Sequence, residues 1–140
     1  FAPSDLVDIH GLTKGKGLVG PMQRFGISKR QHKSEKGVRR PGSLGPWHPA
    51  RVTFRAPMAG QLGMFTRITN NLSILNRGNI KEKNINLSGG FQNYGNVSSS
   101  FIIVKGSVQG PQKRQLLITG AARPSKEQTK KKFEFVEIVK

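Results

Sequence analysis

The sequence predicts a mostly β protein, a small barrel or sandwich that carries a long, irregular, basic extension. Three observations lead there. Short apolar or alternating runs recur between glycine-rich breaks, helical periodicity is nearly absent, and the stretch from Gly26 to Pro57 follows neither pattern.

In chain order, Leu6-Val7-Asp8-Ile9-His10 alternates apolar and polar residues and stops at Gly11, which reads as a strand. Phe65 to Thr69 and Leu72 to Leu75 are two short runs parted by Asn70-Asn71, a pair that signals a hairpin-like turn. Phe101 to Val108 is the most apolar run in the chain. It is too short and too β-branched for a buried helix, so it is predicted as a central strand. Gly110-Pro111 breaks the chain, Leu116 to Thr119 follows as that strand's partner, and Phe133 to Val139 alternates again. Ser88 to Gly95 is a glycine-rich turn bearing Phe91 and Tyr94. A barrel corner plugged by Phe91 is the preferred reading, and a stacking platform for bases is the alternative.

Gly26 to Pro57 contains Pro41, Pro46, Pro49 and Pro57, with Gly37, Gly42 and Gly45 between them and few apolar residues. Loops this long inside a small domain are functional or disordered. Alone it has too little apolar surface to offset the entropy of ordering. The preferred reading is a loop that folds against RNA, with a floppy basic loop as the plain alternative.

Charge points the same way. Twenty-four Lys and Arg against seven Asp and Glu leave a net charge of +17 on 140 residues. A small protein with that charge repels itself, and a polyanion relieves the repulsion. The excess is concentrated: from His10 to Lys81 there are fourteen basic residues and one acid, Glu35. The absence of cysteine excludes disulfide frameworks, Cys-type zinc fingers and thiol nucleophiles. No run of eighteen apolar residues occurs, so no membrane partner is expected. The first residue is Phe1 rather than Met, and the chain is read as part of a longer one.

Thr13-Lys14-Gly15-Lys16-Gly17 is glycine-dense but lacks the Gly-x-x-x-x-Gly-Lys-Ser/Thr pattern of a nucleotide loop. Its glycines suit close approach of the backbone, Lys14 and Lys16 to a nucleic-acid backbone. Arg24, Lys29, Arg30, Lys33, Lys36, Arg39 and Arg40 form a basic run that a solvated face would have interleaved with acids, so they read as RNA contacts. Gly45-Pro46-Trp47-His48-Pro49 sets the one tryptophan between prolines, away from any apolar period. Core packing is the weaker reading there. Stiff flanks suit a loop tip that holds Trp47 out for stacking on a base or wedging between RNA segments. His10, His32 and His48 lack paired acids or cysteines at ligand spacing, and Ser43 and Ser107 lack a nucleophile signature. No catalytic residue, metal ligand or cofactor site is predicted.

Several of these segments together resemble the universal large-subunit ribosomal protein family L3, in its archaeal and eukaryotic form. They are Asp8 to Gly17, Gly45 to Ala50, Ala59-Gly60-Gln61-Leu62-Gly63, Gly89-Gly90-Phe91 through Tyr94-Gly95, Val104 to Val108, and Gly110 to Arg114. The likeness runs over nearly the whole chain but covers only the C-terminal part of the family's usual length. It implies a six-stranded, elongation-factor-like barrel of the SH3-like, translation-protein kind, on the subunit surface. An extension would enter the rRNA toward the peptidyl transferase centre, with Trp47 at its tip near the aminoacyl-tRNA side. It also implies an early role in assembly on the 3′ rRNA domains. Eukaryotic members carry a histidine in the basic stretch where a gapless reading places Glu35, so no role of that histidine carries over.

The expected organisation is therefore a barrel part at 1–25 and 58–140, without its N-terminal strands, and an rRNA-penetrating loop at 26–57. The expected function is a structural constituent of the cytoplasmic large ribosomal subunit, not an enzyme. Its partners would be large-subunit rRNA and neighbouring ribosomal proteins, with no small-molecule substrate. The expected rRNA contacts are Lys14, Lys16, Arg24, Lys29, Arg30, Lys33, Lys36, Arg39, Arg40, Trp47, His48, Arg51, Arg55, Lys113 and Arg114. A dissociable translation factor or RNA chaperone with a similar barrel is the alternative. It would need a nucleotide site or a partner surface, and neither is visible in the sequence. A basic nucleic-acid-modifying enzyme would need a cofactor loop or a catalytic constellation, and the sequence has neither.

Overall fold

The computed structural model describes residues 1–2, 5–34 and 36–138. Glu35 and Val139, which figure in the sequence reading, lie outside the described residues. The protein is mostly β, with two short helices among the described residues, and divides into two compact units: Phe1–Lys14 with Thr66–Lys140, and Gly15–Phe65.

The first unit is built on four antiparallel strands: β1 (Leu6–Leu12), β4 (Thr66–Asn79), β5 (Ser100–Val104) and β6 (Leu117–Gly120), in the spatial order β5-β4-β1-β6. Strands β2 (Leu18–Val19) and β3 (Gly60–Gln61) belong to the second unit. The alternation expected at Leu6 to His10 is present, and β1 continues two residues further, to Leu12. Val7, Ile9 and Ile74 are fully enclosed, and Leu72, Val104, Leu116 and Ile118 pack round them. Val7 and Ile9 share one face of β1 because side chains alternate along a strand. Asp8 therefore faces the other way, and it too is buried.

That carboxylate forms a joint. Its Oδ1 accepts the Asn71 N–H at 2.9 Å and its Oδ2 accepts the Ala122 N–H at 3.0 Å. These two backbone donors, aided by His10 nearby, hold the Asp8 pKa below its usual value against the opposing effect of burial. The arrangement also revises the turn expected at Asn70-Asn71. No reversal occurs; β4 runs straight through both residues. Between Val7 and Ile9 the pairing advances from Leu72 to Thr69, so two residues of β1 oppose three of β4. The extra residue is a β-bulge, with Asn71 in the left-handed region at φ 58°. Hairpin and bulge both favour an asparagine at positive φ, and the choice falls to the bulge because β1 pairs with β4 on both sides of it.

Three other expectations are corrected. The apolar run from Phe101 pairs only as far as Val104 and forms an edge strand, not a central one. Lys105 still donates its N–H to the Ser73 carbonyl, but Gly106 at φ 99° then turns the chain away. Leu117–Gly120 does not partner that run; it pairs with β1, setting Ile118 opposite Ile9 where both meet the core. The alternating residues Phe133 to Ile138 form no strand. Lysines hold them: Lys105 sits 4.0 Å from the Phe133 ring centre and Lys83 4.9 Å from that of Phe135.

No closed barrel forms among the described residues, since β5 and β6 are both edges. The turn at Ser88 to Gly95 is a self-contained one. It closes on itself, with Phe91 and Gly95 exchanging backbone hydrogen bonds at 2.9 Å and Asn93 at φ 57°.

In the second unit, β2 (Leu18–Val19) pairs with β3 (Gly60–Gln61), and the single helical turn α1 (Pro21–Phe25) follows β2. Pro21 suits the first helical position, and Gly26 ends the turn at φ 69° with its N–H on the Met22 carbonyl at 2.8 Å. The described residues from Gly26 to Ala59 hold neither helix nor strand. The second short helix, α2 (Lys126–Thr129), belongs to the first unit.

Candidate nucleic-acid interface

Between Gly26 and Pro57 there are eight lysines and arginines and one acid. Ala56 is the one buried apolar residue among the described residues of this stretch. So thin a core contributes little to ordering the segment, and its internal hydrogen bonds come from the backbone, the Arg30 guanidinium and the Ser43 and Thr53 hydroxyls.

Arg24, placed by α1, acts as a strut. Its Nε donates to the Gln61 carbonyl at 3.0 Å and its Nη1 to the Met58 carbonyl at 3.1 Å, while the guanidinium lies 5.1 Å from the Phe25 ring centre. Gly60 makes room for it: a Cβ there would sit 2.7 Å from the guanidinium carbon. Arg30 ties the loop in a similar way. Its Nη2 donates to the Pro41 carbonyl at 3.0 Å and its backbone N–H to Val38 at 3.0 Å. In both residues part of the donor set is already engaged. Sequence reasoning could not separate these two from the other cations, because the carbonyls they hold are eleven to thirty-seven residues away.

The remaining expected contacts in this unit, Lys16, Lys29, Lys33, Lys36, Arg39, Arg40, Arg51, Arg55, Trp47 and His48, are all exposed. Lys14, Lys113 and Arg114 lie in the first unit and are exposed as well. Lys113 and Arg114 close a tight turn, with the Arg114 N–H on the Pro111 carbonyl at 3.2 Å and Lys113 at φ 66°. That turn packs on the end of β1, where a Cβ at Gly110 would meet the Leu12 carbonyl oxygen at 2.7 Å.

The tip of the long loop is closed at its base. The Leu44 carbonyl accepts the Thr53 N–H at 3.1 Å and the Thr53 hydroxyl at 3.4 Å, and Arg51 donates its N–H to Pro49 at 2.7 Å. The two arms cross at Gly45, where a Cβ would lie 2.5 Å from the Arg51 carbonyl oxygen. Trp47, at the far end, is 85% exposed and meets His48 edge-on at 6.4 Å between ring centres. Core packing of this tryptophan is thereby excluded. One aromatic escaped the sequence reading: Phe54, just past the closure, is 94% exposed with the Arg55 guanidinium 5.8 Å from its ring centre. Its position among Arg51 and Arg55, outside any apolar period, was the available signal. Among the described residues no cluster of His, Asp or Glu could hold a metal ion.

A family model described as Ribosomal protein L3 matches residues 1–138. The chain belongs to the ribosomal protein L3 family. Its relatives include the large ribosomal subunit protein uL3 of Methanococcus vannielii, 43% identical over 129 residues, which cover 91% of this chain and 38% of that protein. The uL3 of Methanococcus maripaludis is 40% identical over 140 residues, covering 99% of this chain and 40% of the relative. That of Tetrahymena thermophila is 38% identical over 136 residues, covering 89% and 35%. Archaeal and eukaryotic members thus both match, and this L3-family chain spans somewhat over a third of their length. Among the motifs that suggested the family, Gly45 to Ala50 contains the crossing glycine and the exposed tryptophan, and Ala59 to Gly63 contains β3 and the Gly60 cradle for Arg24.

Proposed function

We propose that this chain is a structural, rRNA-binding part of the cytoplasmic large ribosomal subunit. It acts without a cofactor or small-molecule substrate, and catalytic chemistry belongs to the RNA. Residues 26–57 form an extension that enters the rRNA, cross-bracing RNA segments through Lys and Arg, with Trp47 at a tip that supports the peptidyl transferase region. Residues 1–25 and 58–140 contribute to an elongation-factor-like, SH3-like β-barrel. The fifteen residues named from the sequence carry the rRNA contacts, with Arg24 and Arg30 also bracing the loop. Neighbouring ribosomal proteins are the other partners.

The observation that carries this reading is the long segment with eight cations, one acid and one buried apolar residue, in a chain of the L3 family. Such a segment gains order by neutralising phosphates. Six to ten phosphate contacts give a slope of roughly −4 to −9 in log affinity against log salt. Binding to rRNA that is indifferent to salt between 50 and 200 mM refutes the electrostatic account. Co-sedimentation with large subunits after a high-salt wash tests the structural role, because a dissociable factor is stripped and an integral protein stays.

A further inference from the structure

We infer that Phe54 is a stacking platform for one unpaired RNA base, separate from the tip at Trp47. The inference rests on the rRNA-binding reading above and adds a site to it. Phe54 and Arg55 occupy the outer positions of a turn that the Ala56 N–H closes onto the Thr53 carbonyl at 3.1 Å. The turn is anchored on both sides. Thr53 is held by two hydrogen bonds to Leu44, and Ala56 is buried. A short anchored turn fixes the direction of the side chain at its crest, so Phe54 is presented with little further ordering.

What it presents is a bare ring. At 94% exposed, Phe54 is the most exposed of the large hydrophobic residues described, and its one close ring neighbour is the Arg55 guanidinium. A phenyl ring left in water loses the free energy that burial would return, and a ligand with a flat π face recovers it. The surroundings select the class of ligand. A protein pocket closing on Phe54 would desolvate Arg51 and Arg55, whereas RNA supplies a base for the ring and phosphates for both arginines. Paired bases inside a duplex have both faces covered, so the partner is an unpaired nucleotide.

The test uses the whole chain with two probes: a single-stranded RNA of about twelve nucleotides, and a duplex of about forty base pairs whose interior bases are all stacked. Phe54→Ala is expected to weaken single-strand binding about 5- to 140-fold, the loss of one base–ring stack, and to leave duplex binding close to wild type. The salt slope stays unchanged, because no phosphate contact is removed. Phe54→Tyr and Phe54→Trp retain single-strand affinity, while Phe54→Leu, which keeps apolar bulk without a π face, behaves like the alanine variant. Because the ring is 94% exposed, none of these changes touches the core.

Wild-type single-strand affinity in Phe54→Ala overturns the proposal, as does an equal loss on both probes. Full affinity in Phe54→Leu overturns it too, since contact would then be merely apolar. If the unmodified chain binds neither probe, the rRNA-binding reading fails as well. The two failures are therefore told apart by the wild-type lane.

Discussion

Gly45→Ala tests whether the closed base of the long loop matters for binding. A Cβ at this position would stand 2.5 Å from the Arg51 carbonyl oxygen, with the Thr53 side chain and N–H at 3.5 Å. The clashing atom is backbone, so no side-chain rotation relieves it and the two arms must separate. Separation releases the two bonds that Thr53 makes to Leu44. At about 0.5–1.5 kcal/mol each, and at the low end because both are exposed, their loss is about 1 kcal/mol. That lowers the ratio of closed to open loop about fivefold. If the closed form is the one that binds and the open form predominates off the RNA, apparent rRNA affinity falls by the same factor, because it scales with the competent fraction. No charge is lost, so the salt slope does not move. Fluorescence anisotropy with labelled rRNA fragments at several salt concentrations reads both quantities. Gly42→Ala is the control: a Cβ there meets nothing within 4 Å. Gly45→Ala binding within about twofold of wild type would refute the argument that closure preorganises the loop.

Three further outcomes are expected. Replacing Arg39 and Arg40 together by alanine flattens the salt slope by about 1.4–1.8 and impairs subunit assembly first, since each phosphate contact contributes about 0.7–0.9; an unchanged slope removes these two from the contact set. Trp47→Ala leaves assembly nearly intact, because the ring is 85% exposed and one stack of roughly 1–3 kcal/mol is small beside the summed phosphate contacts. Its effect falls on aminoacyl-tRNA accommodation or on drugs acting at the peptidyl transferase centre. Mass spectrometry of purified subunits followed by tRNA binding decides it, and wild-type behaviour in every such assay refutes a role for the tip. The third concerns Asp8, whose folded pKa lies below its unfolded value of about 3.9, so its contribution is fully present above that pH and is lost as pH falls through the folded pKa. Thermal melts of wild type should therefore decline below about pH 4, while Asp8→Asn melts lower at neutral pH and shows less of that acid decline; equal acid sensitivity in the two proteins rules Asp8 out as its source.

Much of this protein was legible one segment at a time. The mostly β character followed from short runs such as Leu6 to His10, because alternation along a strand is a property of neighbouring residues. Family membership was readable in compact motifs such as Gly45 to Ala50, and the family model matches residues 1–138. The concentration of cations between Gly26 and Pro57 is likewise a fact of composition.

Pairing across long separations was not readable in that way. Asn70-Asn71 declared a residue suited to positive φ, but only β1 lying alongside made it a bulge rather than a turn. Phe101 to Val104 declared an apolar strand, and apolar content does not say which neighbours it has; β1 and β4 took the centre and left it at an edge. Arg24 looked like every other cation until Gln61 and Met58 brought their carbonyls to it, and nothing local to Asp8 marked it as the acceptor of the Asn71 and Ala122 amides. Local preference is set by contiguous residues, so the sequence alone determined the mostly β character, loop chemistry and family, though not whether the alternating run from Phe133 becomes a strand. Register, edge or centre, and the division of cations between strut and free charge depend on groups tens of residues apart, and only the tertiary structure decided them.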